Sequence, residues 1–382
     1  MRFFHLSDLH IGLRLLNRDM REDQEYILHD IVRQAAEYQP DAVIIAGDIY
    51  DKSVPSAEAV EVFDHFVGEL REAVPKAVIM MISGNHDSAA RVDCFRTVLS
   101  KQNLYMVGQP PKREGEFMEK IRLQDDCGQV NFYLLPFVKP SMVREIVGTE
   151  EDGSLLTYHE TIRKLIGREE IDRRERNVFV SHQFYVPEGS GAGEVERMES
   201  EVRTVGNIDA VGAKLLSVFD YAALGHIHKP MEMGGGRIRY CGTPLACSVS
   251  EAGQEKGIVM VELREKGNIE IVKLPLKPLR EVRVVRGKLA EVLSRGCEDY
   301  VTVVLTDKAD QDISDMRERL YLAFPNLLEI RRETERKADY GSEIDGEALL
   351  DPFDLCCLFL KDMDEQDKAV MRDVINTVKG AV

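Results

Sequence analysis

The sequence of 382 residues has no apolar stretch of the ~20 residues that a helix needs to cross a bilayer. Its first residues run directly into an apolar, strand-like segment and lack the basic and apolar regions of a signal peptide. The seven cysteines are an odd number without C-x-x-C spacing, and Cys356 and Cys357 are adjacent, so a disulfide framework is not expected. We therefore expect reduced thiols in a cytoplasmic protein that does not enter a membrane.

Positive charge is also in deficit, with 50 Lys and Arg against 67 Asp and Glu and a formal net charge of −17. Phosphate backbones bind through Lys and Arg, so this balance opposes a DNA substrate. The uneven distribution of charge along the chain weakens this argument against DNA. Residues 341–382 hold 4 basic and 10 acidic side chains, whereas 280–340 hold 12 basic and 13 acidic ones. The sequence also lacks a G-x-x-x-x-G-K-[ST] loop, so any dependence on ATP must come from a partner.

Five polar fragments lie within the first 230 residues, and each follows a short apolar run. The fragments are Ser7-Asp8-Leu9-His10, Gly47-Asp48, Gly84-Asn85-His86-Asp87, Ser181-His182 and Gly225-His226-Ile227-His228. The apolar runs are 2–6, 41–46, 77–83, 177–180 and 220–224. Runs of this length and composition predict buried strands, so the polar residues would lie just past strand ends. Sheets of alternating strands and helices place their active sites there.

The donor types in these fragments indicate a metal centre. Carboxylate oxygens, imidazole nitrogens and one amide oxygen form a mixed hard and borderline set that suits manganese, iron or zinc. Residues i and i+2 of an extended chain point the same way, so Asp8 with His10, and His226 with His228, are each expected to face one site. The candidate ligands are Asp8, His10, Asp48, Asn85, His182, His226 and His228. They exceed what one ion needs and fit two ions if Asp48 bridges them, an arrangement that serves phosphoester hydrolysis.

The order D-x-H, G-D, G-N-H-D, H, G-H-x-H resembles that of the calcineurin-like metallophosphoesterases. The segments 4–12, 205–209, 219–230 and 240–245 are similar to those of bacterial SbcD nuclease subunits, and the similarity spans nearly the whole chain. The resemblance implies two manganese ions. One is assigned Asp8, His10, Asp48 and His228, and the other Asp48, Asn85, His182 and His226. It further implies that His86 contacts the scissile phosphate and assists the leaving oxygen. Asp87 is expected to hold an imidazole in one tautomer.

Each fragment also has a structural interpretation. A single histidine behind a strand is more often a hydrogen-bonding residue of the core, and Gly-Asn-His-Asp alone would suit an ordinary turn. His5 falls in the first predicted strand, and His29, His65 and His159 fall in helical patterns, so we assign these four to structure. For Asp51 the sequence leaves two alternatives open, a group supporting the site or a solvated loop acid.

The element pattern predicts an α/β protein with a two-sheet sandwich flanked by helices over 1–276, and the resemblance implies that this sandwich is the calcineurin-like one. A helix is predicted over 56–72, and the strand-like segments 237–241, 257–263 and 269–274 suggest a meander that completes the sandwich. A small α/β module is predicted at 280–340, with strands at 281–285, 300–305 and 327–332 and helices at 289–293 and 314–324, and the resemblance implies that it is a capping domain. The alternative is a generic appended module. Residues 187–193 are interpreted as a surface loop or linker, and 346–382 as C-terminal helices that bind a partner or pack on their own domain.

The SbcD-like resemblance implies an exonuclease on double-stranded DNA ends and an endonuclease on hairpins and single strands. It also implies a homodimer that joins an SbcC-like SMC-family ATPase through the C-terminal helices, as a heterotetramer. One alternative is a phosphoesterase of small nucleotides or phosphoproteins, which the acidic charge favours. Another is a scaffold with a vestigial site, which the complete ligand set opposes. Met231 and Cys241 stand where close relatives are expected to have Gln and Ser, and neither is a proposed ligand.

Overall fold

The computed structural model describes residues 1–187, 197–201, 209–307 and 313–333, together with 367, 368, 370 and 371. The chain forms two compact units, 1–333 and 334–382. All helices and strands named below lie in the first unit, and the four described residues of the second are helical. The predicted loop after Pro187 and most of the predicted helices of 346–382 lie outside the described residues.

The strands in chain order are β1 (Arg2–Leu6), β2 (Arg14–Leu15), β3 (Arg18–Asp19), β4 (Ala42–Ala46), β5 (Val78–Ile82), β6 (Leu104–Val107), β7 (Glu119–Asp125), β8 (Gly128–Leu135), β9 (Arg176–His182), β10 (Tyr185–Val186), β11 (Val211–Gly212), β12 (Tyr221–Gly225), β13 (Met231–Met233), β14 (Ile238–Tyr240), β15 (Gly257–Leu263), β16 (Ile269–Pro275), β17 (Val282–Gly287), β18 (Tyr300–Leu305) and β19 (Leu327–Arg332). The α-helices are α1 (Arg21–Tyr38), α2 (Ala57–Ala73), α3 (Ala89–Val92), α4 (Arg96–Leu99), α5 (Pro140–Val147), α6 (Tyr158–Gly167), α7 (Leu289–Leu293) and α8 (Ile313–Ala323).

Two six-stranded sheets make up most of the first unit. The first sheet has the order β16-β15-β1-β4-β5-β6 and the second has the order β13-β14-β12-β9-β8-β7. In the first sheet β1, β4, β5 and β6 are parallel, and in the second β8, β9, β12 and β14 are parallel. Antiparallel strands flank each parallel group. The carboxyl ends of β1, β4, β5, β9 and β12, which precede the polar fragments, can therefore meet at one edge of the sandwich.

The parallel strands are apolar on both faces because each face packs against another layer. On β1, Phe3 enters the layer between the two sheets, whereas Phe4 and Leu6 face the helices outside the first sheet, since side chains alternate along a strand. The inner layer includes Phe3, Ile44, Met80, Phe132, Val180 and Tyr221. Buried residues of α1 and α2 cover the first sheet, and those of α5 and α6 cover the second. The result is a four-layer sandwich of helices, sheet, sheet and helices.

A third, smaller sheet follows the sandwich. Strands β17, β18 and β19 are parallel, and α7 and α8 connect them in the order that the sequence predicts. Val292, Val301, Leu320 and Phe324 form a separate buried core between these helices and strands. The bounds of α7, β18 and β19 are those predicted from the sequence, and β17 begins and ends within two residues of its prediction.

The structure confirms the predicted α/β class and two-sheet sandwich, and corrects one connection. The predicted meander is divided between sheets: β14 pairs with β12 in the second sheet, while β15 and β16 return to the first, where β15 pairs antiparallel with β1. Hydrophobic periodicity could not reveal this division, because a strand shows the same pattern in either sheet. Within the described ranges, no helix is long and apolar enough to cross a membrane.

Candidate metal centre

The backbone turns sharply where the predicted ligands leave the strands. Asp8, His10, Asp48 and His226 have φ values of 54°, 44°, 49° and 101°, which lie in the left-handed region that residues other than glycine rarely adopt. The sequence prediction that these residues alternate on an extended chain is therefore wrong about the backbone. Turns bring Asp8 and His10 to the site, and Asp8 N and His10 N donate to Gly47 O at 2.9 Å and Asp48 O at 3.0 Å.

The first predicted ligand group converges at the ends of β1, β4 and β12. The Nε2 atoms of His10 and His228 lie 3.1 Å apart, and His10 Nε2 lies 3.8 Å from Asp48 Oδ2. Asp8 accepts the backbone N–H of His226 through both carboxylate oxygens, at 3.0 and 3.2 Å. All these side chains are buried. The structure thus places Asp8, His10, Asp48 and His228 around one small volume.

The second predicted group lies beside the first and shares Asp48 with it. Asn85 Oδ1 lies 3.1 Å from His182 Nε2 and 2.8 Å from His226 Nδ1. Asp48 Oδ2 lies 3.2 Å from the same His182 nitrogen. His182 Nδ1 donates to Ala46 O at 2.7 Å, which leaves Nε2 directed at the shared carboxylate. Asp48 contacts members of both groups, as a bridging ligand must, and Asp8 Oδ1 also lies 3.9 Å from His182 Nε2.

His86 lies at the open side of this cluster and is partly exposed. Its Nδ1 donates to the carbonyl of Asp51 at 2.9 Å, its backbone N–H donates to Asp48 Oδ1 at 2.8 Å, and its ring meets His10 edge-on with centroids 4.8 Å apart. The Nδ1 bond leaves Nε2 as the nitrogen that can exchange a proton with a substrate. Asp51 Oδ1 lies 3.7 Å from His10 Nδ1. Asp51 therefore contacts the site twice, through its carbonyl to His86 and through its carboxylate to His10.

Asp87 has a different set of partners from the predicted one. Its carboxylate accepts backbone N–H groups of Ile49, Tyr50 and Gly84 at 3.0, 2.9 and 2.9 Å, in place of the imidazole that the sequence predicts. These amides belong to the loops after β4 and β5. Asp87 therefore ties together the two loops that carry Asp48 and Asn85. Burial, assisted by the charge of Asp48, raises the pKa of Asp87 to about 6, although the three amide bonds oppose that rise.

Burial and neighbouring charges shift the pKa values of the clustered residues in different directions. Burial works to raise the pKa of Asp48, but the charge and hydrogen bond of His182 outweigh it and hold that pKa well below the ordinary value. Burial works to lower the pKa of His182, but Asp48 outweighs it and raises that pKa to about 9. Burial lowers the pKa of His10 to about 3 and that of His226 well below its usual value. Burial works to lower the pKa of His228, but the hydrogen bond to Glu251 outweighs it and raises that pKa. The protein alone thus pairs Asp48 with His182 and Glu251 with His228, beside the neutral imidazoles of His10 and His226.

The donor arrangement fits divalent ions better than a self-sufficient hydrogen-bond network. The His10 and His228 nitrogens that face each other can share only one proton between them, and buried His10 Nδ1 has no hydrogen-bond partner among the described residues. Three overlapping groups have ligand atoms within 4.8 Å of one another, namely Asp8 with Asp48 and His182, His10 with Asp48 and His86, and His10 with His228 and Cys247. Orphaned donor atoms and converging carboxylates are what a metal centre requires.

The structure also brings in residues that the sequence reasoning missed. Glu251, which is 1% exposed, lies 3.2 Å from His228 Nδ1 and accepts a 2.6 Å bond from Lys256 Nζ. Arg197 stacks over Phe184 at 3.7 Å and lies 3.3 Å from His226 Nε2. From the sequence, Cys247 is expected only to be a reduced thiol. A buried Glu and Lys five residues apart look like ordinary surface charges in a sequence, so no local signal separates them.

Solved structures offer three distant likenesses. TT1561 of Thermus thermophilus is 12% identical, with 71% of this chain and 98% of that chain covered and a TM-score of 0.40. A dimetal phosphatase from Danio rerio is 14% identical, with 72% and 99% covered and a TM-score of 0.39. GAP50, the anchor in the inner membrane complex of Plasmodium, is 13% identical, with 88% and 98% covered and a TM-score of 0.38.

The fold and the buried donor cluster define a metal-dependent phosphoesterase. Residues 1–230 match the calcineurin-like phosphoesterase family, and the chain belongs to that family. Residues 278–364 match a second family, SbcD_C, described as the type 5 capsule protein repressor C-terminal domain. The two matches together support the predicted likeness to SbcD-type nuclease subunits.

Proposed function

We propose that the chain is the nuclease subunit of an SbcCD-type complex, which hydrolyses DNA phosphodiesters with two manganese ions in DNA end processing, repair, recombination and replication in the cytoplasm. The observation that carries the proposal is the convergence of the seven proposed ligands in one buried cluster, with Asp48 between the two groups and His86 at the open side. The nuclease domain would be 1–276, the cap 280–340 and the partner-binding helices 346–382. The proposed activities are exonuclease on double-stranded ends and endonuclease on hairpins and single strands.

Each residue of the centre has a proposed role. Asp8, His10, Asp48 and His228 would hold one ion, and Asp48, Asn85, His182 and His226 the other. The ions would supply an activated water and neutralise charge on the phosphate. His86 Nε2 would deliver a proton to the leaving oxygen, with its ring oriented by the bond from Nδ1 to the Asp51 carbonyl. Asp87 would act indirectly, by fixing the loops of Asp48 and Asn85 through their amides.

The proposed cap is connected to the loop that carries Asp8 and His10 through two consecutive residues of α1. Asp23 accepts bonds from Arg280 at 2.8 Å and from the Tyr300 hydroxyl at 2.7 Å. The next residue, Gln24, donates from Nε2 to the carbonyl of His10 at 2.7 Å. A movement of the cap would therefore displace α1 next to His10. This connection supports a cap that aligns substrate over the ions rather than an unrelated appended module.

Partners are proposed to compensate for the acidic charge. With a net charge of −17, the isolated chain should bind DNA weakly and in a salt-sensitive way. The match of 278–364 supports an SbcC-like SMC-family ATPase as the partner, which would add DNA affinity and ATP dependence. A homodimer is also proposed, giving a heterotetramer with the ATPase. Phe95, just before α4, and Val98, within α4, are 73% and 61% exposed and offer an apolar surface for the homodimer contact.

The proposal is tested by comparing two substrates with the same protein and manganese. Hairpin DNA should be cleaved, and cleavage should require manganese and be absent from Asp48→Ala protein purified in the same way. Strong hydrolysis of bis-p-nitrophenyl phosphate with none of DNA would instead support a phosphoesterase of small nucleotides or phosphoproteins, which the acidic charge favours. Loss of both activities with intact metal binding would contradict hydrolysis altogether.

A further inference from the structure

A buried cysteine lies beside one half of the metal centre. The sulfur of Cys247 and one ring nitrogen each of His10 and His228 are all within 4.8 Å of one another. The three residues are 8%, 1% and 2% exposed. Cys247 lies beyond the last predicted ligand fragment and outside the D-x-H, G-D, G-N-H-D, H, G-H-x-H order, so the family pattern assigns it no role.

One carboxylate positions two members of this group. Glu251 Oε1 accepts the backbone N–H of Cys247 at 3.2 Å and lies 3.2 Å from His228 Nδ1. The other oxygen, Oε2, accepts Lys256 Nζ at 2.6 Å and the Thr243 hydroxyl at 2.9 Å. The carboxylate is thus held from both sides. Its contact with His228 Nδ1 leaves the Nε2 of that ring directed at His10, 3.1 Å away.

The neighbouring atoms indicate that the group takes a cation. Two imidazole nitrogens facing each other at 3.1 Å have at most one proton between them. Among the described residues, the Cys247 thiol makes one weak hydrogen bond, to Leu245 O at 3.5 Å. A bound cation would satisfy the opposed nitrogens and give the sulfur a stronger interaction.

We propose that Cys247 is a ligand of this half of the centre and gives it a preference for zinc and similar thiophilic ions over manganese. The inference rests on the metal centre of the proposed function. Carboxylate sites suit manganese, whereas a thiolate with two imidazoles suits zinc. Together with Asp8 or Asp48, Cys247, His10 and His228 supply the four donors that a tetrahedral zinc site needs. On binding, the thiol proton passes to solvent and the sulfur takes the ion. Zinc would then compete with manganese in this half alone.

Cobalt substitution tests whether sulfur is a ligand. Full-length protein freed of metal and titrated with Co²⁺ should develop a sulfur-to-cobalt charge-transfer band in the near ultraviolet. Cys247→Ser should abolish that band, and Cys241→Ser should retain it. Cys241 is a matched control because it is also buried, at 2% exposed, but contacts Ser7 and lies outside the donor group. A band that survives Cys247→Ser, or no band in the wild type despite bound cobalt, would overturn the inference.

X-ray absorption at the zinc edge gives an answer that does not depend on a variant. Wild-type protein with one zinc per chain should show a sulfur scatterer at about 2.3 Å. Calorimetry should show zinc affinity falling by about tenfold or more in Cys247→Ser, with manganese affinity unchanged. Two ions bound through nitrogen and oxygen alone would overturn this inference and leave the proposed nuclease intact. Failure to bind any divalent ion would refute both.

Discussion

Asp48 connects the two halves of the centre. Its Oδ2 lies 3.2 Å from His182 Nε2 and 3.8 Å from His10 Nε2, and the residue is only 2% exposed. We therefore expect Asp48→Ala to abolish cleavage and to lower the affinity for both ions, since each half loses the same carboxylate. Elemental analysis after dialysis measures the bound ions. Asp64→Ala, an exposed acid on α2, is the control, and two ions retained in Asp48→Ala would rule out the bridging role.

Substitution of His86 should affect catalysis without affecting metal binding. Its ring is held by the Asp51 carbonyl and approaches His10 edge-on, and the predicted ion sets do not include it. His86→Gln should retain two ions while cleavage falls by about 10² to 10⁴-fold, the range typical of a lost proton-transfer group. Metal content and single-turnover cleavage are measured on the same preparation. Wild-type rates would refute the proton-transfer role, and loss of an ion would make His86 a ligand.

Residue types and their order were enough to predict which side chains come together at the site. All seven predicted donors and His86 lie in one cluster. The left-handed backbone at Asp8 and Asp48 was not predicted, because the neighbouring apolar residues suggested continued extension. Such conformations cost roughly 1 to 3 kcal/mol each and persist only where surrounding structure enforces them. Tertiary contacts, here the Asp8 and His10 amides bonded to the next loop, supply that enforcement.

At the scale of elements, the loop after β5 packs directly against the loop after β4. A Cβ atom added at Gly84 would lie 2.1 Å from Asp48 Oδ1 and 2.4 Å from Asp48 N, so one of the loops would have to move. We expect Gly84→Ala to leave the sandwich folded but to lower the affinity for both ions by at least about tenfold. Calorimetric manganese titration measures it.

Gly68→Ala is the matched control for that substitution. Gly68 lies in α2 with nothing within 4 Å of its would-be Cβ, so alanine should leave metal binding unchanged and slightly stabilise the helix. Unaltered manganese affinity in Gly84→Ala would show that the loop has room to adjust and that the position of the Asp48 carboxylate is not fixed by this contact.

Arg176 forms an ion pair within the second sheet and also bonds to the first sheet, at a distance from the ligand loops. Arg176 on β9, 2% exposed, donates to Asp125 on β7 at 3.0 Å and to the carbonyl of Leu263 on β15 at 2.8 Å. The hydrogen bonds from Arg176 hold the pKa of Asp125 well below its usual range. We expect Asp125→Asn to lower the free energy of unfolding by about 1 to 3 kcal/mol at neutral pH, because a buried cation loses its counter-charge.

The pH dependence of that loss has a definite sign. A carboxyl whose pKa is depressed in the folded state stabilises the fold above its unfolded pKa of about 3.9, and the contribution is lost as the pH falls toward the folded pKa. The difference between wild type and Asp125→Asn in urea unfolding should therefore be constant near neutrality and shrink below pH of about 4. Asp126→Asn, an exposed neighbour, should show no difference at either pH. A pH-independent gap would assign the effect to packing.

At the scale of the whole molecule, sequence pattern predicted the succession of elements better than their partners. The bounds of β15, β18 and α7 agree with those expected, since local apolar spacing sets them. The pairing of β15 with β1, with Val261 opposite Phe3, joins residues far apart in the chain and leaves no local trace. The connection from Arg280 to Asp23 and the buried Glu251 were missed for the same reason, because both depend on what the fold brings near.

The tail provides a prediction about the complete assembly. The seven predicted ligands and His86 precede residue 230, and the β17-β18-β19 sheet intervenes before 346–382. Removing 346–382 should leave manganese binding and hairpin cleavage intact but abolish co-purification with an SMC-like ATPase and the response to ATP. The helices that the sequence predicts there are the proposed partner-binding segment, and amphipathic helices typically dock in a partner's groove. Pull-down and cleavage are measured on the same truncation. Retained ATPase binding would place the interface elsewhere, and insolubility would assign the helices to the chain's own core.

The strand order of the first sheet has a consequence for synthesis. Every proposed ligand, Cys247 included, precedes β15, which begins only at Gly257, yet β1, which leads into Asp8 and His10, lies between β4 and β15. A ribosome-bound chain therefore has all its ligands exposed before the strand that completes the sheet beside β1 has emerged. During translation the unfinished site is therefore a set of carboxylates, imidazoles and a thiol that can meet a metal before the strand beside β1 completes the sheet.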